Sequence, residues 1–161
     1  MSEISKKRNL ESSGALEQRQ AVVDETLSWL GTPYHHHGRV KAVGVDCAML
    51  LAEVYQACGL VQRVEPGFYP HDWHLHRGEE LFIQWVERLG AREVPAPKLG
   101  DIGVWRYGRT FSHGGIVVDV PAFGAPLVLH AYIDTPVNIT RTDEAPLSGR
   151  AVRWYSMWEA R

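Results

Sequence analysis

Two cysteines and eight histidines hold most of the nucleophilic and acid–base chemistry this chain can offer. Both cysteines fall in VGVDCAMLLAEVYQACGL, residues 43–60. Cys47 follows Asp46 at the start of an apolar run, and Cys58 stands just before Gly59 at its end. A thiolate is the reactive form of cysteine, and a free thiol with a pKa near ~8.5 is mostly protonated at neutral pH. The entrance of a helix, with its partial positive charge and unpaired N–H groups, favours the anion. Cys47 is therefore placed for reactivity. The Asp46 carboxylate works against it unless those N–H groups take up part of its charge. Cys58 lies at the negative end and reads as a small buried hydrophobe. If residues 46–58 form one helix, the two thiols are ~16 Å apart along its axis. A disulfide needs Cα atoms within ~7 Å. Both cysteines are read as free.

A cysteine nucleophile needs a base, and the base needs an orienting partner. Without them an isolated cysteine is more often a packing residue. His113 in FSHGGIVVD and His130 in LVLHAYI lie on successive expected strands. Adjacent antiparallel strands can bring such residues together on one face. The register that decides this is not written in the sequence.

The elements that must position these groups follow from periodicity and punctuation. Residues 1–14 read as a flexible tail and 15–161 as a single domain. A helix is expected from about Leu16 to Leu30, with Val22, Val23, Thr26, Leu27 and Leu30 on its apolar face. Gly31 and Pro33 end it. Residues 31–45 (GTPYHHHGRVKAVGV) read as a loop. The next helix has Asp46 as N-cap and Gly59 as its stop. Residues 61–78 read as an irregular excursion. EELFIQWVERLG (79–90) is a third helix, with Leu81, Phe82, Trp85, Val86 and Leu89 inward. PAPKLGD (95–101) is a turn. Then the period changes, and DIGVWRYG, HGGIVVDV, PLVLHAYI, VNITR and AVRWYSM read as short strands. PAFGAP (121–126) is a hairpin connection. Helices followed by a meandering antiparallel sheet give an α+β order.

Bulk composition excludes some classes. Of the 161 residues, 45% are hydrophobic and 22% charged, and the net charge is −2. Nothing in this balance argues for nucleic-acid or anionic-membrane binding. No run approaches the ~18 apolar residues that span a bilayer. The polar MSEISKKRNLESSG lacks a secretory h-region. The expectation is a protein made in the cytoplasm, with any extracytoplasmic role reached by another route.

Other signals have bland readings beside the functional ones. His35, His36 and His37, together with HDWHLH (71–76), suggest a metal. Adjacent residues in one loop seldom converge on one ion, and neither CxxC nor HExxH accompanies them. No metal and no cofactor is expected. Instead one of the three histidines is expected to line a cleft beside Tyr34. HDWHLH is read as bordering the substrate groove, with Trp73 packing in the core. Asp101 reads as a turn residue that bonds local N–H groups. Asp119 and Asp134 could orient a histidine, but solvated strand ends is the better reading. KKR (6–8) is too short for a nucleic-acid patch.

GTPY, a Gly-containing loop, DC opening a helix, GD before a strand, HGGIVV and LHA follow one another in this order. Their succession resembles the NlpC-type cysteine peptidases, papain-like enzymes that cut peptides of bacterial cell walls. GTPYHHHGRVKAVGVDC is similar to a phage-associated branch found among tail and gene-transfer-particle genes. The resemblance covers about residues 20–133. It implies a papain-like α+β fold with the nucleophile helix packed on an antiparallel sheet. It implies Cys47 as nucleophile, His113 as general base and His130 as the third polar residue. Tyr34 and the backbone at Asp46–Cys47 would form the oxyanion and substrate side, with His36 and His37 nearby. The implied substrate is a peptidoglycan stem peptide joined between D-glutamate and a diamino acid. Phage tail proteins are the implied partners, and a tail particle the implied route to the wall. Two departures stand out: DCAML where the family has DCSG, and HHHG where it has Trp-Gly-Gly. They favour, as an alternative, a catalytically weak or inactive tail-assembly or binding module; a further alternative is an acyltransferase using the same residues, since transfer and hydrolysis share the acyl-enzyme.

Overall fold

A computed structural model describes residues 3–63 and 80–159, with the backbone alone for residues 6–11. Helix α1 runs Glu3–Leu27. A small hairpin follows, β1 Arg39–Val40 and β2 Gly44–Val45. Then come α2 Cys47–Ala57 and α3 Leu81–Arg88. The strands are β3 Arg92–Val94, β4 Ile102–Tyr107, β5 Thr110–Asp119, β6 Leu127–His130, β7 Asn138–Arg141 and β8 Val152–Ser156. The last six form one antiparallel sheet in the order β3-β8-β4-β5-β6-β7. The five expected strands are all present, and β5 pairs with β6 across the expected hairpin connection. The sheet is a meander only from β4 to β7. The final strand returns to lie between β3 and β4, and the short edge strand β3 was not expected.

The expected α2 has its boundaries where the cap residues put them. Asp46 is extended (ψ 177°) and its side chain accepts from Met49 N–H, while Gly59 takes φ 72° beyond the last turn. The first helix departs from expectation. It starts at Glu3 rather than near Leu16, running back through most of the segment read as a tail. It also ends three residues early, which leaves Leu27 and Leu30 exposed and buries Trp29 instead. Arg19 is buried on this helix although it is charged. Its guanidinium pairs with Asp101 at 2.8 Å and also donates to Leu99 O and Ser156 Oγ. Its cation lies over Trp158 at 4.2 Å. A buried charge is tolerated only when paired and hydrogen-bonded. This pair ties α1 to the turn that opens β4.

The main core lies between the helices and one face of the sheet. Leu50, Leu51, Val54 and Tyr55 of α2 and Phe82, Trp85 and Val86 of α3 meet Ile102, Val104, Ile116 and Leu129. Gly114 lets this happen. A Cβ there would sit 2.5 Å from the Phe82 ring, so only glycine allows α3 this close to β5. A smaller cluster of Trp105, Val117, Val128 and Leu147 covers the opposite face. The segment 61–78, with HDWHLH and Trp73, lies outside the described residues from position 64 onward.

Candidate active site

Cys47 is the first residue of α2 and keeps part of its surface exposed. The backbone N–H groups of Gly114, Ala48 and Cys47 itself act on its sulfur and favour the thiolate. They do not prevail. Burial, and then the neighbouring Asp46 carboxylate, push the thiol up to about 12. The helix-entrance donors are in place, but desolvation outweighs them and the net shift is upward. Cys58 is also raised, by burial and then Glu25, and its sulfur faces Ala21 O at 3.6 Å. Both cysteines are free.

His113 follows from register. Trp105 pairs with His113, and β5 pairs with β6 at Ile116↔Leu129 and Val117↔Val128. This places His113 and His130 on one face, with His113 Nε2 2.7 Å from His130 Nδ1. Both imidazoles are buried. Burial, then the His130 and Arg150 charges, hold His113 well below its usual value. Burial holds His130 down at about 4. At neutral pH the dyad is uncharged. His130 Nε2 reaches Thr140 Oγ1 at 2.9 Å, and Thr140 Oγ1–H donates to Asn138 Oδ1 at 2.9 Å. Tyr107 and Tyr132 stand edge-on to the His113 ring, with centroids at 5.4 and 5.5 Å. Among the described residues no hydrogen bond joins Cys47 to His113. The sulfur and the dyad instead meet β5 at adjacent residues, Gly114 and His113.

The loop 31–45 has more structure than expected. Gly31 N–H and Thr32 O exchange hydrogen bonds with Val137 at 2.9 and 2.8 Å, and Tyr34 bridges to Val45. Gly38 packs so closely on Gly44 that a Cβ on either would clash, with Gly44 C at 2.7 Å or His35 Cβ at 2.6 Å. His37 takes φ 61° and gives its backbone N–H to Asp46 Oδ2 at 2.8 Å. The His36 ring stacks on His37 at 3.9 Å and approaches the same carboxylate oxygen at 3.7 Å. Asp46 thus caps α2 with one oxygen and anchors the loop with the other. Burial, then the Cys47, Asp46 and Asp134 charges, raise the Tyr34 hydroxyl far above its usual value. It remains a neutral O–H beside the thiol. Pro33, Tyr34, Asp134, Thr135 and Pro136 line an open cavity of about 310 Å³.

The remaining acids divide. Asp101 accepts Lys98 N–H at 2.8 Å, as a turn residue should, and is the buried partner of Arg19 as well. Asp119 and Asp134 are both exposed, and neither orients a histidine. No group of three His, Cys, Asp or Glu side chains among the described residues could hold a metal ion. Sequence reasoning missed Thr140 and Asn138 on β7, Tyr107 on β4 and Tyr132 just beyond the end of β6. A register for β5 to β7 would have exposed Thr140 and Asn138.

Comparison with solved structures shows what this architecture is similar to. The NlpC/p60 domain of the peptidoglycan hydrolase SagA superposes with a TM-score of 0.51 at 20% identity, covering 84% of this chain and 96% of that one. A protein described as similar to a lipoprotein of the NLP/P60 family, from Staphylococcus aureus subsp. aureus Mu50, superposes with a TM-score of 0.55 at 19% identity. That match covers 85% of this chain and 41% of the other. The chain thus has the papain-like α+β fold of NlpC/p60 domains. No family model and no curated protein matches it.

Proposed function

We propose that this protein is a cysteine peptidase acting on peptides of the bacterial cell wall. The observation that carries the proposal is the buried His113–His130 hydrogen bond, on the strand whose Gly114 N–H acts on the Cys47 sulfur. In this reading Cys47 attacks an amide carbonyl. His113, neutral at rest, takes the thiol proton as the C–S bond forms and gives it to the leaving amine. Water then releases the acyl group by the reverse proton path. His130 holds the His113 ring. The N–H of Cys47, in the first turn of α2, and the Tyr34 hydroxyl supply donors for the oxyanion. Thiol and base start as a neutral pair rather than an ion pair. Proton transfer must then accompany attack once substrate has entered.

The similarity to a peptidoglycan hydrolase domain supports the substrate class. The bond between D-glutamate and a diamino acid, and carriage by a phage or prophage tail, are finer parts of the same proposal. The first follows from the family resemblance, and the second is motivated by GTPYHHHGRVKAVGVDC. One observation favours a second reading. A thiol held near pKa 12 suits a weakly active binding or tail-assembly module on the same fold. Incubating the full chain with muropeptides and reading the products by mass spectrometry separates the two. The peptidase reading predicts cleavage that Cys47→Ala abolishes, and the module reading predicts binding without cleavage. An added amine acceptor distinguishes hydrolysis from acyl transfer.

A further inference from the structure

We propose that Thr140 and Asn138 are positioning residues for the histidine pair. They set which nitrogen of His130, and through it of His113, carries the proton. The consequence for turnover rests on the peptidase reading, but the proton assignment does not.

The argument is a count of hydrogens. Asn138 Nδ2 donates to Pro136 O at 2.9 Å, which turns Asn138 Oδ1 toward Thr140. The Thr140 hydroxyl has one hydrogen and spends it on Oδ1. Toward His130 Nε2, at 2.9 Å, its oxygen can only accept. His130 therefore carries its proton on Nε2. A neutral imidazole has one N–H, so His130 Nδ1 is an acceptor. The His113 Nε2 that faces it at 2.7 Å must donate. His113 is left with a single lone pair, on Nδ1, and that is the atom able to act as a base. The register supports the chain of contacts. Val128↔Thr140 and His130↔Asn138 put all four residues on one face of β6 and β7. His130 is fully buried and Thr140 nearly so, which keeps water from substituting for the hydroxyl.

The family resemblance ends at about residue 133, and VNITR reads as one more short strand. The structure extends the polar chain by two residues from that strand. Reversing the Thr140 hydroxyl would reverse every bond upstream and put the His113 proton on Nδ1. That histidine could not then accept from a thiol through Nδ1. Among the described residues no carboxylate bonds the histidine pair, and a hydroxyl backed by an amide performs the orienting task.

The test is long-range nitrogen–proton NMR of the full chain, labelled in histidine, with no substrate present. Expected is a proton on Nε2 of both His113 and His130. Thr140→Val removes the acceptor with little change of shape. It is expected to mix the His130 tautomers and to lower kcat on muropeptides by about 10- to 100-fold at unchanged KM, in the range for orienting partners. Thr140→Ser should restore both readouts. Wild-type His130 protonated on Nδ1, or an unaltered tautomer order in Thr140→Val, overturns the proposal. Should Thr140→Val fail to fold, the half-buried Asn138→Ala reports on the same chain, and an unchanged order there overturns it equally. A wild type with the expected tautomers but no turnover would remove the peptidase reading and leave the proton assignment standing.

Discussion

Cys47 at neutral pH is a thiol and His113 an uncharged imidazole, so reactivity depends on what relieves the burial and the Asp46 charge that hold the thiol protonated. Alkylation of Cys47 should be slow near pH 7 and rise steeply only in alkali, because burial and Asp46 hold the thiol near 12. A pH series read by peptide mass spectrometry checks this. Replacing Asp46 by Asn removes the opposing charge. Alkylation near pH 8 should then quicken, at a cost of about 1–3 kcal/mol for the backbone N–H group that loses its acceptor. The histidines also give a pH-dependent stability. His130 falls from 6.5 in the unfolded chain to about 4 when folded. The unfolded state therefore binds protons first as pH drops, and stability present above pH 6.5 is lost on the way down to about 4. At ~1.4 kcal/mol per unit this amounts to about 3 kcal/mol from His130 alone. Denaturant titrations between pH 4 and 7 measure it. That His113 and His130 could meet was legible in the sequence, because they lie on successive expected strands. Their charge state was not, since it depends on burial. The roles of Thr140 and Asn138 were hidden because they rest on strand register.

At the scale of elements, the site is made by the entrance of α2 meeting the middle of β5. The cap at Asp46, the stop at Gly59 and the strand periods were written in local chemistry, so these elements were found. The return of β8 between β3 and β4 was not, because strand order is a matter of long-range pairing. The loop 31–45 was read as a loop because its two strands are only two residues each. Its shape comes from close approach at Gly38 and Gly44 and from the Asp46 anchor. Gly114 is the tightest joint between helix and sheet. Gly114→Ala should destabilise the fold by about 1–3 kcal/mol through overpacking against Phe82, checked by thermal unfolding.

Across the whole molecule, the Arg19–Asp101 pair is the charged link between α1 and the sheet. Asp101→Asn leaves a buried guanidinium without its counter-charge and is expected to cost about 3–5 kcal/mol. Replacing both residues with apolar ones of similar volume should cost much less, and a double-mutant cycle in denaturant separates the two. Neither partner announced itself in the sequence. Arg19 lies in a polar helical stretch, and Asp101 reads as an ordinary turn residue. The fold class was legible because helices precede strands, and solved NlpC/p60 domains share the architecture. Two roomier cavities do not mark the site. Spaces of about 790 and 630 Å³ lie along β3 and along α1, and neither lining contains a cysteine or a histidine.

The central claim is that Cys47 attacks a cell-wall peptide. The most direct test incubates wild type and Cys47→Ala with purified muropeptides and follows new amino termini and acyl-enzyme mass on Cys47. The account predicts products, and a trapped adduct on Cys47, with wild type alone, and a loss of at least about a thousandfold in the variant. Equal cleavage by both proteins, or intact muropeptides and an unmodified Cys47 in the wild type, would contradict it.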